Sequence, residues 1–229
     1  MSVLKIPARK SLFEWIYSTI SRKLFLGICL KLRFTPNQVT LFSGLCGVVG
    51  AYMLSSGSLG MAFALVNIYA LLDLVDGDIA RSRKMQSSFG YWLDIFFDKL
   101  IDALLVIATV HLVYQSNNSM TIGLLGCALM ASVFFNQFVL LLNDTTFRSL
   151  RVSGVEKNNS SDDFPNSASI SVVKFLKLHF SLNHNAFLFF VVIYPMLLGA
   201  ENGFYVLCVH SIATLLSNAL SNFVIFRGK

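Results

Sequence analysis

The sequence predicts an all-α integral membrane protein with six transmembrane helices and an N-terminal amphipathic helix at the membrane interface. Hydrophobic residues make up 55% of the 229 residues, and charged residues make up only 13%. The apolar residues fall into blocks long enough to cross about 30 Å of hydrocarbon. Each block is predicted to be helical because a spanning segment must satisfy its own backbone hydrogen bonds. The six predicted spans are residues 38–56, 59–80, 91–114, 120–143, 180–199 and 203–225.

The segment before the first span has the pattern of an interfacial helix. Residues 9–33 mix charged residues with an apolar stripe at every fourth position, formed by Leu12, Ile16, Ile20 and Leu24. A signal peptide is the alternative, but no small-residue cleavage site follows a compact apolar core. Pro36 is expected near the start of the first span, where its missing N–H costs little. No internal repeat is evident, and the chain divides into an interfacial segment, residues 1–36, and a six-helix domain, residues 37–229.

Lysine and arginine are concentrated in alternate connections between the predicted spans. They occupy the N-terminal segment and the second and fourth connections, whereas residues 55–58, 115–120 and 199–203 contain none. The positive-inside rule therefore predicts that both termini lie in the cytoplasm. Topology and anionic membrane lipids explain the net charge of +6, so a nucleic-acid partner is not expected.

The cysteines and histidines show no spacing typical of a metal site. Cys29, Cys46, Cys127 and Cys208 lie apart in apolar segments without a C-x-x-C pair, and they are expected to be small core residues. The histidines, His184 among them, also lack ligand spacing. No histidine is therefore expected among metal ligands.

Four aspartates lie where the second and third predicted spans turn back on each other. Asp73 and Asp76 are three residues apart near the end of one helix, and Asp94 and Asp98 are four residues apart near the start of the next. Each pair therefore shares a helix face. Only ten residues, 82–91, connect the two helices. The two acidic faces are predicted to converge at the cytoplasmic end of the bundle, where they would form the active site.

Converging carboxylates at a membrane boundary need a cation to offset their repulsion and desolvation. Carboxylate oxygens are the ligands that hard divalent ions prefer, which predicts Mg²⁺ or Mn²⁺. Four carboxylates suffice for two ions, and such a pair can hold the attacking and leaving oxygens of a phosphoryl displacement. Gly77 and Ala80 remove side-chain bulk beside Asp76, and the guanidinium of Arg81 is suited to hold phosphate.

Two other interpretations of the aspartates are open at this point. The acids could form ion pairs at a solvated hairpin with four neighbouring basic residues, Arg81, Arg83, Lys84 and Lys99. They could also belong to a proton or cation pathway, but pathway acids run through the depth of the bilayer. The four aspartates cluster at one end instead, with glycine and alanine between them.

The spacing of these residues resembles the signature of the CDP-alcohol phosphotransferase, or CDP-alcohol phosphatidyltransferase, family. Residues 73–81 read D-L-V-D-G-D-I-A-R, and after eight further residues, residues 90–98 read G-Y-W-L-D-I-F-F-D. All eight signature positions match without a gap. The resemblance extends to Thr35-Pro36-Asn37 and to the six-span layout, although its sequence-specific part covers less than half of the chain.

The resemblance implies a role for each matching residue. Asp73, Asp76 and Asp94 would be metal ligands, and Asp98 would be a catalytic base that also contacts the second of two ions. Six residues would border the cytidine nucleotide and its pyrophosphate, namely Asn37, Asp73, Asp76, Gly77, Ala80 and Arg81.

The resemblance also implies a reaction and its partners. A substituted phosphoryl group would move from a CDP-alcohol to the hydroxyl of a small acceptor, with release of CMP, in phospholipid biosynthesis. The compact length is most similar to bacterial members that use CDP-diacylglycerol as donor, and residues 37–229 would be the catalytic domain. A non-lipid CDP-alcohol donor and a non-catalytic membrane binding protein are the alternatives, and a homodimer is left open.

A long cytoplasmic segment between the fourth and fifth spans is the candidate acceptor region. Its middle, residues 156–171, is rich in Asn, Ser and Asp, and a loop of this length is usually mobile or functional. Arg148 and Arg151 precede it and would share a helix face, so they are candidate ligands of an acceptor phosphate. Basic residues at this position could instead fix the membrane orientation or bind lipid headgroups, and that interpretation stays open.

Overall fold

The structure, a computed structural model, describes the backbone of residues 12–152 and 184–227 and the side chains of residues 15–139 and 184–219. Within these ranges the chain consists of helices joined by short turns, without a strand. The helices are α1 (Leu12–Ser21), a π-helical turn (Arg22–Leu26), α2 (Gly27–Lys31), α3 (Pro36–Ser55), α4 (Leu59–Ser82), α5 (Ser88–Tyr114), α6 (Met120–Val152), α7 (His184–Leu198) and α8 (Ala200–Arg227).

The predicted all-α class is confirmed, and a helix lies at each of the six predicted spans. Of the residues that the structure describes, three helical stretches are long and apolar enough to cross a membrane: Pro36–Ser55, Leu59–Ser82 and Met120–Val139. Helix α5 is longer than all three, but it carries four charged residues between Asp94 and Asp102. Helix α7 is apolar but only 15 residues long. The count of six spans therefore stays a prediction.

The N-terminal helix packs against the bundle with one face and exposes the other. Tyr17 and Ser21 are buried, and the Tyr17 hydroxyl donates a hydrogen bond to Asn67 of α4. Ile20 and Leu24 of the predicted apolar stripe are exposed, and exposed apolar side chains continue at Ile28 and Leu32. An exposed apolar stripe on a helix that carries charge elsewhere is suited to the membrane surface.

The boundary between the interfacial segment and α3 has Pro36 at the expected place and a helix cap beside it. Thr35 is the N-cap, Pro36 occupies the first turn, and Gln38 completes a reciprocal capping box with Thr35. From the end of α4, Arg83 donates to the backbone oxygens of Leu30 and Phe34, at 3.0 and 2.8 Å. These bonds attach the C-terminal end of α2 to the helix that carries Asp73 and Asp76.

Helix α4 lies at the centre, in contact with α1, α3 and α7, and α5 packs against α3, α6, α7 and α8. Small residues of α3 allow α3 and α5 to approach each other closely, as is common between helices in membranes. A Cβ added to Gly44 would collide with the ring of Phe97, and one added to Gly47 would lie 2.7 Å from Ile101. The polar residues of α4 and α5 are consequently brought together at one end of the bundle, above a core that includes Tyr69 and Phe187.

An aromatic row occupies the outer face of the first turns of α5. The rings of Phe89 and Trp92 stack at 6.0 Å between centroids, and those of Trp92 and Phe96 stack at 5.3 Å. All three side chains are exposed. The row faces away from the bundle because Asp94 and Asp98 occupy the opposite side of the same helix.

Candidate active site

The first group of acidic side chains is formed by both helices of the α4–α5 hairpin. One carboxylate oxygen each from Asp73, Asp76 and Asp94 lies within 4.8 Å of the other two. Asp76 is the most buried of the three, and it accepts a hydrogen bond from the hydroxyl of Thr40 on α3. The predicted convergence of the two acidic faces is therefore present in the structure.

The second group shares Asp73 with the first. It contains Asp73, Asp98 and His184, whose ligand atoms again lie within 4.8 Å of one another. Asp98 accepts a hydrogen bond of 3.0 Å from the hydroxyl of the buried Tyr69. His184 is the first residue of α7, and its Nε2 lies 3.2 Å from Asp98 Oδ1. Each group offers three ligand atoms, and one aspartate connects them.

Among the described side chains, no arginine or lysine forms an ion pair with Asp73, Asp76, Asp94 or Asp98. Arg81 pairs with Asp78 instead, and Arg83 donates to backbone oxygens of the N-terminal segment. The ion-pair interpretation of the four aspartates is therefore wrong for these arginines. The carboxylates need another positive charge, and their chemistry fits a divalent cation.

A cavity of about 320 Å³ opens beside the first group. It lies between the start of α3, the end of α4 and the start of α5. The predicted nucleotide-binding residues other than Asp73 all line it, together with Asp94, so that its wall includes Asn37, Asp76, Gly77, Ala80, Arg81 and Asp94. The cavity therefore has carboxylates on one side and a guanidinium on another.

Gly77 and Arg81 form one wall of this cavity. A Cβ on Gly77 would lie 3.2 Å from Nη1 and 3.3 Å from Nη2 of Arg81, so the glycine leaves room for the guanidinium across the helix surface. Asp78 holds that guanidinium from the other side, with 2.7 Å between Arg81 Nη2 and Asp78 Oδ1. Arg22 of the N-terminal segment also lies 2.7 Å from Asp78.

Gly90, at the start of α5, is a second glycine that leaves room for neighbouring side chains. Its N–H donates to the hydroxyl of Ser87, which is the N-cap of the helix. A Cβ on Gly90 would lie 3.1 Å from Asn37 Oδ1 and 3.1 Å from Ser87 Oγ. The absence of a side chain thus allows the start of α5 to approach the start of α3.

A buried polar chain behind Asp98 was not predicted from the sequence. Asp102 is fully buried, and its Oδ1 lies 3.1 Å from Nδ1 of His184. Gln137 of α6 donates a hydrogen bond to Asp102 Oδ2. The expectation that no histidine joins the aspartates is wrong, because α7 packs against α4 and brings His184 to residues that precede it by about 85 to 110 positions.

The predicted acceptor residues cannot be compared with this geometry. Arg148 and Arg151 belong to the backbone of α6, but their side chains lie outside the described residues. The loop of residues 156–171 also lies outside them.

Part of this chain is similar to known enzymes. A phosphatidylinositol phosphate synthase of Corynebacterium glutamicum is 38% identical over 90 residues, which are 38% of this chain and 41% of that protein. A bifunctional IPC transferase and DIPP synthase of Aquifex aeolicus is 36% identical over 81 residues, 35% of this chain and 19% of the relative. The matches thus span less than half of the length of either relative.

A solved structure has the same fold over nearly the whole chain. It is the Mycobacterium tuberculosis phosphatidylinositol phosphate synthase with CDP-DAG bound, which matches with a TM-score of 0.55 and 16% identity, over 90% of this chain and 92% of that one. The family model described as CDP-alcohol phosphatidyltransferase matches residues 33–217, which include both groups of ligand atoms and the cavity beside them. The chain therefore belongs to the CDP-alcohol phosphatidyltransferase family.

Proposed function

We propose that this protein is a metal-dependent membrane transferase that moves a phosphatidyl group from CDP-diacylglycerol to the hydroxyl of a small acceptor and releases CMP. The observation that carries the proposal is the pair of ligand groups that share Asp73. The cavity directly beside them is lined by the residues predicted to bind the nucleotide. A scaffold protein would not need two cation-binding groups next to such a cavity.

The residues present fit a pair of Mg²⁺ or Mn²⁺ ions. Asp73, Asp76 and Asp94 would hold one ion, and Asp73 and Asp98 would contribute to the other. When bound, the ions supply positive charge that offsets the charge of the pyrophosphate. The protein contributes the fixed position of the carboxylates, through Thr40 at Asp76 and Tyr69 at Asp98.

The proposed reaction forms one P–O bond and breaks another. The acceptor oxygen bonds to the phosphorus that carries the diacylglycerol, and the P–O bond to CMP breaks, with the electron pair leaving on CMP. The proton of the acceptor hydroxyl goes to a carboxylate oxygen of Asp98. Arg81, held by Asp78, binds a phosphate oxygen of the donor, and Asn37, Gly77 and Ala80 border its nucleotide.

The donor and acceptor classes are supported by the relatives. The Mycobacterium tuberculosis protein binds CDP-DAG, and the Corynebacterium glutamicum relative is a phosphatidylinositol phosphate synthase. A phosphorylated polyol is therefore the first acceptor to examine. Arg148 and Arg151 would bind its phosphate, and replacing either by alanine should raise the acceptor KM by about 10- to 100-fold, since a charged hydrogen bond contributes about 1.5–3 kcal/mol. The KM for the donor should stay unchanged.

The proposed location is a bacterial plasma membrane, with the aspartates and both termini on the cytoplasmic side. The basic connections support this orientation by the positive-inside rule. Residues 1–36 would lie along the same membrane surface, and residues 37–229 would form the catalytic domain.

The test is CMP release by the purified full chain in lipid nanodiscs. CDP-diacylglycerol is supplied with Mn²⁺ and a panel of polyols, polyol phosphates and amino alcohols, and the product lipid is identified by mass spectrometry. Asp94→Asn should abolish release, and Glu201→Gln is the matched control because Glu201, at the start of α8, accepts a hydrogen bond from Asn117 and lies outside both ligand groups and the cavity. CMP release only from a non-lipid CDP-alcohol would replace the proposed donor, and Mn²⁺ binding without any CMP release would indicate a binding protein.

A further inference from the structure

His184 is held at the second ligand group by contacts on three sides. Its Nδ1 faces Asp102, and its Nε2 faces Asp98. The ring of Tyr69 packs edge-on against the imidazole at 6.2 Å and 89°. The imidazole is therefore fixed in both position and orientation by residues of α4 and α5.

The two nitrogens of His184 have different hydrogen-bonding situations. Nδ1 lies within hydrogen-bond distance of Asp102 Oδ2, at 3.3 Å. Nε2 is buried and lies 3.2 Å from Asp98 Oδ1, but the contact does not have the geometry of a hydrogen bond. Nδ1 thus has the surroundings of an N–H donor, whereas Nε2 has those of a lone pair that faces a carboxylate.

A lone pair directed at a carboxylate is repulsive unless a cation lies beside both atoms, and a proton on Nε2 would call for a hydrogen bond to Asp98 that this contact does not make. Asp102 supplies the partner that fixes the tautomer, because it is fully buried and anchored by Gln137. A carboxylate on one imidazole nitrogen and a metal on the other is the usual arrangement around metal-binding histidines. One carboxylate oxygen each from Asp73 and Asp98 and one ring nitrogen of His184 already lie within 4.8 Å of one another, and Nε2 is the nitrogen that faces Asp98.

We infer that His184 is a nitrogen ligand of the second divalent cation, together with Asp73 and Asp98, and that Asp102 orients it. The inference rests on the proposed function, which supplies the cations. It makes the two ion sites chemically different, since the first group contains only carboxylates and the second contains an imidazole. Mg²⁺ prefers oxygen ligands, whereas imidazole suits transition-metal ions, so the second site should favour Mn²⁺ over Mg²⁺.

The test is pulsed electron paramagnetic resonance of Mn²⁺ bound to the purified full chain. Electron spin-echo modulation detects a directly bound imidazole through its ¹⁴N nucleus, and labelling histidine with ¹⁵N should change that modulation. His184→Gln should remove it. His210→Gln is the matched control and should leave it unchanged, because His210 contacts Tyr194, ten residues along α7 from His184, and belongs to neither ligand group.

The same preparations give an independent test of whether Asp102 orients His184. Asp102→Asn should weaken binding of the second Mn²⁺ by about 10- to 100-fold, the usual effect of losing the carboxylate partner of a ligating histidine. Mn²⁺ that binds the native chain at both sites without nitrogen modulation would overturn the inference, and His184 would then be an ion-pair partner of Asp98 and Asp102. Absence of Mn²⁺ binding altogether would instead overturn the metal sites of the proposed function.

Discussion

Replacement of Asp73 should weaken the binding of two cations, whereas replacement of Asp76 or Asp98 should weaken the binding of only one. Asp73 belongs to both groups of ligand atoms, and Asp76 and Asp98 belong to one group each. Asparagine keeps the size of each side chain and removes its charge. The three variants therefore differ in the number of ion contacts they lose.

The expected magnitude follows from that number. A charged contact contributes about 1.5–3 kcal/mol, which corresponds to roughly a 10- to 100-fold change in an association constant. Asp76→Asn and Asp98→Asn should each lower the affinity of one Mn²⁺ by this factor. Asp73→Asn loses a contact at both ions, so the product of the two association constants should fall by roughly 10²- to 10⁴-fold.

The assay is a titration of the purified chain with Mn²⁺, in which free Mn²⁺ is counted from its aqueous electron paramagnetic resonance signal. Asp78→Asn provides the control, because Asp78 lies on the same helix but pairs with Arg22 and Arg81. It should bind Mn²⁺ as the native chain does. If Asp73→Asn retains one Mn²⁺ with native affinity, Asp73 does not connect the two sites and the reasoning is refuted.

Three further predictions concern the cavity, the helix packing and the topology. Gly77→Ala should displace the Arg81 guanidinium and raise the KM for CDP-diacylglycerol about fivefold, since an exposed charge contact is worth up to about 1 kcal/mol; an unchanged donor KM would contradict the role of that wall. Gly47→Leu should destabilise the bundle by about 1–3 kcal/mol through overpacking against α5, measured as a lower melting temperature, and an unaltered temperature would count against the close packing. In a chain without its native cysteines, Ser116→Cys should react with an impermeant thiol reagent from outside the cell, whereas Ser88→Cys should react only after permeabilisation. The opposite labelling pattern would reverse the proposed orientation.

The parts of the fold and site that could be predicted are those encoded locally. Pro36 is expected near the start of α3 because of its backbone chemistry, and the structure places it in the first turn, directly after the N-cap Thr35. The aspartates of α4 and α5 occupy one helical hairpin, so spacing and a short connection suffice to bring them together. Hydropathy predicted a helix at every span, but the charges of α5 make the same measure inconclusive about how many helices cross the membrane.

The parts that could not be predicted depend on contacts between distant segments. His184 begins an apolar helix and has no neighbouring ligand in the sequence, so its pattern alone could not distinguish it from His210. Asp102 was visible as one further acidic residue on the face of α5, but its burial follows from the packing of α6 and α7 around it. The polar residues at the start of α7 in an otherwise apolar helix were the available signal.

The exposed row of Phe89, Trp92 and Phe96 has a consequence for the depth of catalysis. Aromatic rings with a polar edge, such as the indole of Trp92, favour the zone between water and acyl chains. Because the row and the carboxylates occupy opposite sides of the same turns of α5, the height at which the rings settle is also the height of Asp94 and Asp98. A lipid-linked nucleotide could then be processed at the level where its headgroup already lies, so the lipid would not have to be lifted out of its leaflet.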